Sequence, residues 1–306
     1  MAASFKTSSH AKRWLRSRRE VLCSNRDDVM ATSRDTVSRL RMYFVELLHS
    51  LGRYMNMRQR VVSTAVVFFK RFYLKRSFGE FDPRLAAPTI LFLAAKVEET
   101  YQNAKYFRAA VERCKEVKEL YSDFNLTMQA MLEFEFYVLE VMDFDLIVFH
   151  PYRPITRILE ELKWNSRLKM AWSIANDSYR TDLCLEHPPT KIAVAVIYLS
   201  MVLSKDSSDK RDSFLSSVSK AGDNSADVAD VMDICGRLLE LYKYYSEVGK
   251  GGNLKPKDAI ELLEKIKDGR SGDNPTDEKS NAPSPTEMTE TVETETAETE
   301  TVETET

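Results

Sequence analysis

Two segments of this chain open on proline and then run apolar and small, 105 residues apart. The first begins Asp82-Pro83-Arg84-Leu85-Ala86-Ala87 and continues through Ile90, Leu91, Phe92, Leu93, Ala94 and Ala95. The second begins His187-Pro188-Pro189-Thr190-Lys191-Ile192-Ala193 and carries Ala195 and Ser200 further on. Aspartate before proline is a helix start: the carboxylate caps free N–H groups, and proline stands where its missing N–H costs nothing. Small residues on several faces let neighbouring helices approach from every side. Each segment therefore reads as the buried centre of its own helical domain. A spacing of about 105 residues gives two domains of ordinary size rather than a short-period repeat array.

The flanking periodicity agrees. Val37, Leu40, Tyr43, Phe44, Leu47, Leu48 and Leu51 recur at three- and four-residue steps, with Gly52 softening the end. Helices are predicted at about 35–51, 58–75, 82–97, 105–116 and 126–142. Pro151 and Pro154 break the pattern, and helices resume at 155–163, 166–185, 189–203, 211–219 and 226–247. The expected organisation is all-α. An N-terminal extension spans 1–33 with a short helix near Trp14 to Leu22. A first five-helix domain spans 34–146, a linker 147–154 and a second domain 155–250. A short helical extension covers 251–268 and a disordered acidic tail 269–306. Glycine is scarce, nine in all and seven before residue 269, which suits stacked helices better than a turn-rich β fold. The tail holds two basic and eleven acidic residues, so a chain of net charge -3 has a mildly basic body. The tail has little to bury, and Ser284-Pro285 within it fits turnover or phosphorylation.

Several function classes lose support. The four histidines stand apart, and no metal-binding string, phosphate-cradling glycine loop or nucleophile elbow is present, so no metal, cofactor or catalytic site is expected. Cys23, Cys114, Cys184 and Cys235 lack metal or redox spacing and read as buried thiols of an intracellular protein. No run of apolar residues is long enough for a membrane span. Arg58, Arg60, Lys70, Arg71, Lys75 and Arg76 crowd one helix without a coherent basic face, so a solvated surface is expected there rather than a nucleic-acid reader. What stands out is Lys96-Val97-Glu98-Glu99, charges closing a buried helix, together with Glu135 among Phe134, Phe136, Tyr137 and Leu139. Such a cluster is a docking point for another protein.

Four strings resemble the cyclin family over about residues 1–250. They are Phe68-Phe69-Lys70-Arg71-Phe72-Tyr73; Asp82-Pro83 through Lys96-Val97-Glu98-Glu99; Leu132 through Glu140; and His150-Pro151-Tyr152-Arg153-Pro154. The last, with Tyr179-Arg180-Thr181-Asp182-Leu183-Cys184-Leu185 and the early Ser8-Ser9-His10, is similar to the branch that partners the Mediator-associated cyclin-dependent kinase. The resemblance implies two tandem cyclin boxes and a nuclear, non-catalytic regulatory subunit for RNA polymerase II transcription, with no small-molecule substrate. It implies that Lys96 and Glu135 grip the kinase's αC helix, with Phe72 and Tyr73 as apolar neighbours. It also implies that Glu98 and Glu99 face the activation segment or its support. Trp172, Asn176, Asp177 and Tyr242 then line a groove for a scaffold subunit of the Mediator kinase module. The family usually has tryptophan two residues before Ser8; here Lys6 stands there, and the acidic tail lies outside the family pattern. The alternatives are a transcriptional cyclin of the H or K type and a DNA-binding cyclin-fold factor like general transcription factor IIB, which would need a zinc ribbon absent from this sequence.

Overall fold

The computed structural model describes residues 4–24, 26–100, 102–115, 117–219, 227–248 and 254–271. Among them every regular element is helical. The α-helices are α1 (Arg18–Cys23), α2 (Arg26–Ala31), α3 (Arg34–Tyr54), α4 (Gln59–Lys75), α5 (Pro83–Val97), α6 (Ala104–Arg113), α7 (Met128–Val141), α8 (Tyr152–Glu161), α9 (Leu168–Ser178), α10 (Leu183–Glu186), α11 (Pro189–Leu203), α12 (Ser208–Ser219), α13 (Val228–Val248) and α14 (Pro256–Ser271). The first box is α3–α7. The second is α8, α9, α11, α12 and α13, with the single turn α10 inserted.

The two proline-started helices are the centres. α5 packs against α3, α4, α6 and α7, and α11 against α8, α9, α12 and α13. Asp82 caps α5 by accepting from the N–H of Arg84, and Pro83 follows at the first helical position. Pro88 lies inside α5 and leaves the carbonyl of Arg84 without its usual helical donor. The buried hydroxyl of Tyr121 fills that place at 2.9 Å. Gly52 does not soften α3, which continues to Tyr54; a Cβ there would lie 2.3 Å from Val62, so glycine is what lets α4 close on α3.

Several sequence expectations need correction. The short N-terminal helix does not run from Trp14 to Leu22: Leu15 is extended, and α1 begins afresh where Ser17 and Glu20 form a capping box. Pro154 does not end a linker; it sits in the first turn of α8, among N–H groups that have no helical partner anyway. The helix expected over 166–185 breaks after Ser178. Cys23 is exposed, while Cys114, Cys184 and Cys235 are buried. α14 carries helix through Ser271, beyond the expected 268, and Gly269 lets it approach Ala31, where a Cβ would come within 2.8 Å. The expectation of disorder over 272–306 lies outside the described residues.

The basic run is solvated at Arg58, Arg60 and Lys75, as expected, but not throughout. Lys70 and Arg71 are buried where α4 meets the second box and its linker. Lys70 donates to the carbonyl of Thr181 and lies 3.2 Å from Asp182, which also pairs with Arg41. These two cations hold the Asp182 carboxyl down at about 2 against the opposing effect of burial. Arg71 donates to the carbonyl of Asp145 and lies 5.0 Å from the centre of the Trp14 ring, while burial lowers its pKa to about 10 and leaves it charged. Trp14 donates its Nε1–H to Asp145 at 2.9 Å, and the N–H of Arg16 donates to the carbonyl of Leu185. The N-terminal segment thus ties the linker to the second box.

Candidate functional site

α5 ends in a Schellman motif. Thr100 N–H returns to the carbonyl of Ala95, and Glu99 N–H to that of Lys96, with Glu99 in the left-handed region at φ 53°. Glycine usually takes that position. α7 ends the same way: Phe144 N–H bonds Leu139, Asp143 N–H bonds Glu140, and Asp143 and Phe144 have φ 51° and 57°. Holding bulky side chains there costs energy, and such strain collects at working surfaces.

Between these two ends lies the charge cluster. Lys96 Nζ contacts both oxygens of Glu135, at 2.7 and 2.8 Å, and stands 4.5 Å from the centre of the Phe92 ring. The lysine side chain is 47% exposed and the glutamate 9%, so the pair sits at a rim. Glu98 is held from two sides, by Nε of Arg60 at 2.7 Å and by the hydroxyl of Thr64 at 2.7 Å. Glu99 is exposed.

Phe72 and Tyr73, expected as apolar neighbours of a partner, are core residues. The Phe72 ring packs among Phe81, Phe134 and Tyr137, and the Tyr73 hydroxyl donates to the carbonyl of Phe81. They back α7 and do not reach its outer face. Phe136 on α7 (74%) and Phe144 just after it (67%) are exposed. Positions two apart on a helix lie on nearly opposite sides, so burying Phe134 turns Phe136 outward. That signal was available in the sequence; the strained turn presenting Phe144 was not.

The second surface divides. The Trp172 ring, 39% exposed, lies 5.1 Å from that of Tyr152, whose hydroxyl donates to Asn176 at 2.7 Å. Asp177 belongs to a different set of bonds. It accepts from Arg180 at 2.8 Å and from the Tyr242 hydroxyl at 3.0 Å, and Arg180 also binds Glu46. Burial pushes the Asp177 carboxyl up in spite of Arg180. Tyr152 was missed in the sequence because it was read as linker. Among the described residues no cluster of three or more His, Cys, Asp or Glu side chains could hold a metal ion.

These features were compared with known proteins. The family model "Cyclin, N-terminal domain" matches residues 13–147. The chain is similar to Cyclin-C of Drosophila pseudoobscura pseudoobscura, 33% identical over 270 residues, covering 86% of this chain and 95% of the relative. It is also similar to Cyclin-C of Rattus norvegicus, 36% identical over 250 residues, covering 80% and 85%. Among solved structures, a chain of the yeast TFIIK complex matches with TM-score 0.59 and 19% identity, covering 77% of this chain and 99% of that one. A chain of the yeast RNA Pol II CTD kinase CTDK-1 complex matches with TM-score 0.59 and 18% identity, covering 89% and 86%. These two likenesses show the fold. With the sequence relatives, they make this chain a member of the cyclin family, whose members are non-catalytic regulatory subunits of kinases.

Proposed function

We propose that this chain binds and activates a cyclin-dependent kinase through the edge where the end of α5 meets α7, and that it serves transcription by RNA polymerase II in the nucleus as a subunit of the Mediator kinase module. The observation that carries the reading is the Lys96–Glu135 ion pair, half-exposed on its lysine side, which joins the end of α5 to α7 next to the exposed ring of Phe136. The similarity to proteins named Cyclin-C supports the Mediator assignment, and the fold likeness to chains of the TFIIK and CTDK-1 complexes supports a kinase partner. Lys96 keeps N–H capacity for a partner carbonyl, and Phe136, next to Glu135 on α7, supplies apolar area. Glu98 and Glu99 stand next to the pair, toward the segment that the kinase must order. Shifting a kinase from about 1% to 99% competent takes about 5.5 kcal/mol of differential binding, within reach of a protein interface. Trp172 and Asn176, with Asp177 and Tyr242 beside them, are the surface proposed for the module's scaffold subunit.

A charge reversal and its repair test the edge. Lys96→Glu places two carboxylates together and is expected to lose the kinase in co-purification. Adding Glu135→Lys rebuilds the internal pair with its polarity swapped. Binding that stays lost marks an interface pair; binding fully restored marks a pair that only holds the fold, and would falsify the assignment.

A further inference from the structure

Ser63 and Thr64 are consecutive on α4, fully buried, and each joins a chain of hydrogen bonds crossing between the boxes. Counting protons gives both chains a direction. Tyr152 has one hydroxyl proton and gives it to Asn176. Ser63, 2.7 Å from Tyr152, is therefore the donor in that contact, and it accepts in turn from Gln59. Thr64 also has one proton. Glu98 can only accept, so that proton goes to the carboxylate. The 2.8 Å contact between Thr64 Oγ1 and Nε2 of His150 then requires the ring to donate. Burial pulls the His150 pKa down to about 3, so the ring is neutral and has one proton to place. With it on Nε2, Nδ1 accepts from the hydroxyl of Tyr179. The series runs from Tyr179 to His150 to Thr64 to Glu98. It ends on the carboxylate that also holds Nε of Arg60, a side chain 68% exposed.

We propose that His150 and Thr64 are positioning residues for the kinase-facing edge: they lock the Glu98 carboxylate, and through it the Arg60 guanidinium, in one orientation. This rests on the assignment of that edge to kinase binding. A carboxylate fixed by a hydroxyl on one oxygen and a guanidinium on the other cannot turn freely, so the ordering cost is met before a partner arrives. With Nε engaged, Arg60 offers its Nη edge, a planar fork that fits an acidic side chain of the partner. The linker and the second box, which supply His150 and Tyr179, thereby take part in recognition by the first.

The test uses the full chain and the cyclin-dependent kinase recovered with it from its own cells, with thermal melts alongside. Thr64→Val keeps the shape but has no proton to give, and affinity is expected to fall about tenfold. Thr64→Ser should restore it to within about threefold. His150→Gln can place an amide N–H near the former Nε2, whereas His150→Asn reaches only the Nδ1 end. Affinity should survive in the first and fall in the second, although both lose the ring. Equal losses in that pair, or a Thr64→Val chain that binds like the parent, overturn the proposal. Nitrogen-15 spectra of the free chain read the tautomer without any variant: a proton on Nε2 is expected, and one on Nδ1 refutes the relay. Lys96→Glu is the control. Normal kinase binding by that variant, or failure to recover any such kinase, sinks the edge assignment itself. Loss there without the Thr64 and His150 contrasts sinks only the relay.

Discussion

The hydroxyl of Tyr121 donates to the carbonyl of Arg84 at 2.9 Å, the carbonyl that Pro88 leaves without a helical donor. A side chain 37 residues away thus completes the central helix of the first box. Tyr121→Phe should cost about 1–3 kcal/mol, because the carbonyl is then buried unpaired. In a Pro88→Ala background the backbone supplies its own donor, and the same change should cost much less. A double-mutant cycle in urea measures this; additive effects would show that the hydroxyl does something else.

Among the described residues, five helices end on a non-glycine residue in the left-handed region: Asn56, Glu99, Asp143, Lys163 and Lys205. Replacing such a residue with glycine relieves about 1 kcal/mol of strain, less some entropy gained by the unfolded chain. Glu99→Gly and Lys163→Gly should both raise the melting temperature. Only Glu99→Gly should also weaken kinase co-purification, since only Glu99 lies on the proposed edge. Equal retention of the kinase by both variants would count against Glu99.

Burial holds His10, His49 and His150 neutral, with pKa values lowered from 6.5 to about 3, 4 and 3. Below pH 6.5 the unfolded chain binds protons at these positions that the folded chain refuses until about pH 4 or 3. Their contribution to stability is therefore constant above pH 6.5 and is lost as pH falls through that window, by about 1.4 kcal/mol per pH unit for each group. The melting temperature should drop clearly between pH 7 and pH 5. His49→Gln should flatten that slope; an unchanged slope would mean that His49 is not neutral and buried in solution.

The α14 helix packs where Gly269 meets Ala31 and Lys267 reaches Asp82 at 2.8 Å. Gly269→Val forces the two helices apart and should cost about 1–3 kcal/mol. Hydrogen exchange should quicken first in α14 rather than across the whole chain. Uniform quickening would show that α14 is integral to global folding instead of a separately attached element.

The helical body was legible because its signals are local. Pro83 and Pro189 mark helix starts, and the apolar steps from Val37 to Leu51 mark a buried face. The interior polar residues were not legible, because a charge is outside by default and its exceptions depend on distant partners. Lys70 donates to a carbonyl 111 residues away and Arg71 to one 74 residues away, and no spacing rule connects them. Phe72 and Tyr73 were placed at the edge because they neighbour it in the motif, but the rotation of α4 turns them inward. Glycine is scarce, and the chain makes tight helix ends with strained Asn, Glu, Asp and Lys instead, which no local signal announces. Lys96 and Glu135 were legible as one docking cluster, but that they pair with each other at 2.7 Å is visible only in the fold.

Because Lys96 and Glu135 already answer each other, and Arg60 already answers Glu98, these two pairs show an approaching protein little net charge. Long-range attraction then has little to act on, and capture depends on fit after collision. The rate at which kinase and chain first join should hardly change with added salt, while the lifetime of the joined state should carry most of the effect of any substitution at this edge.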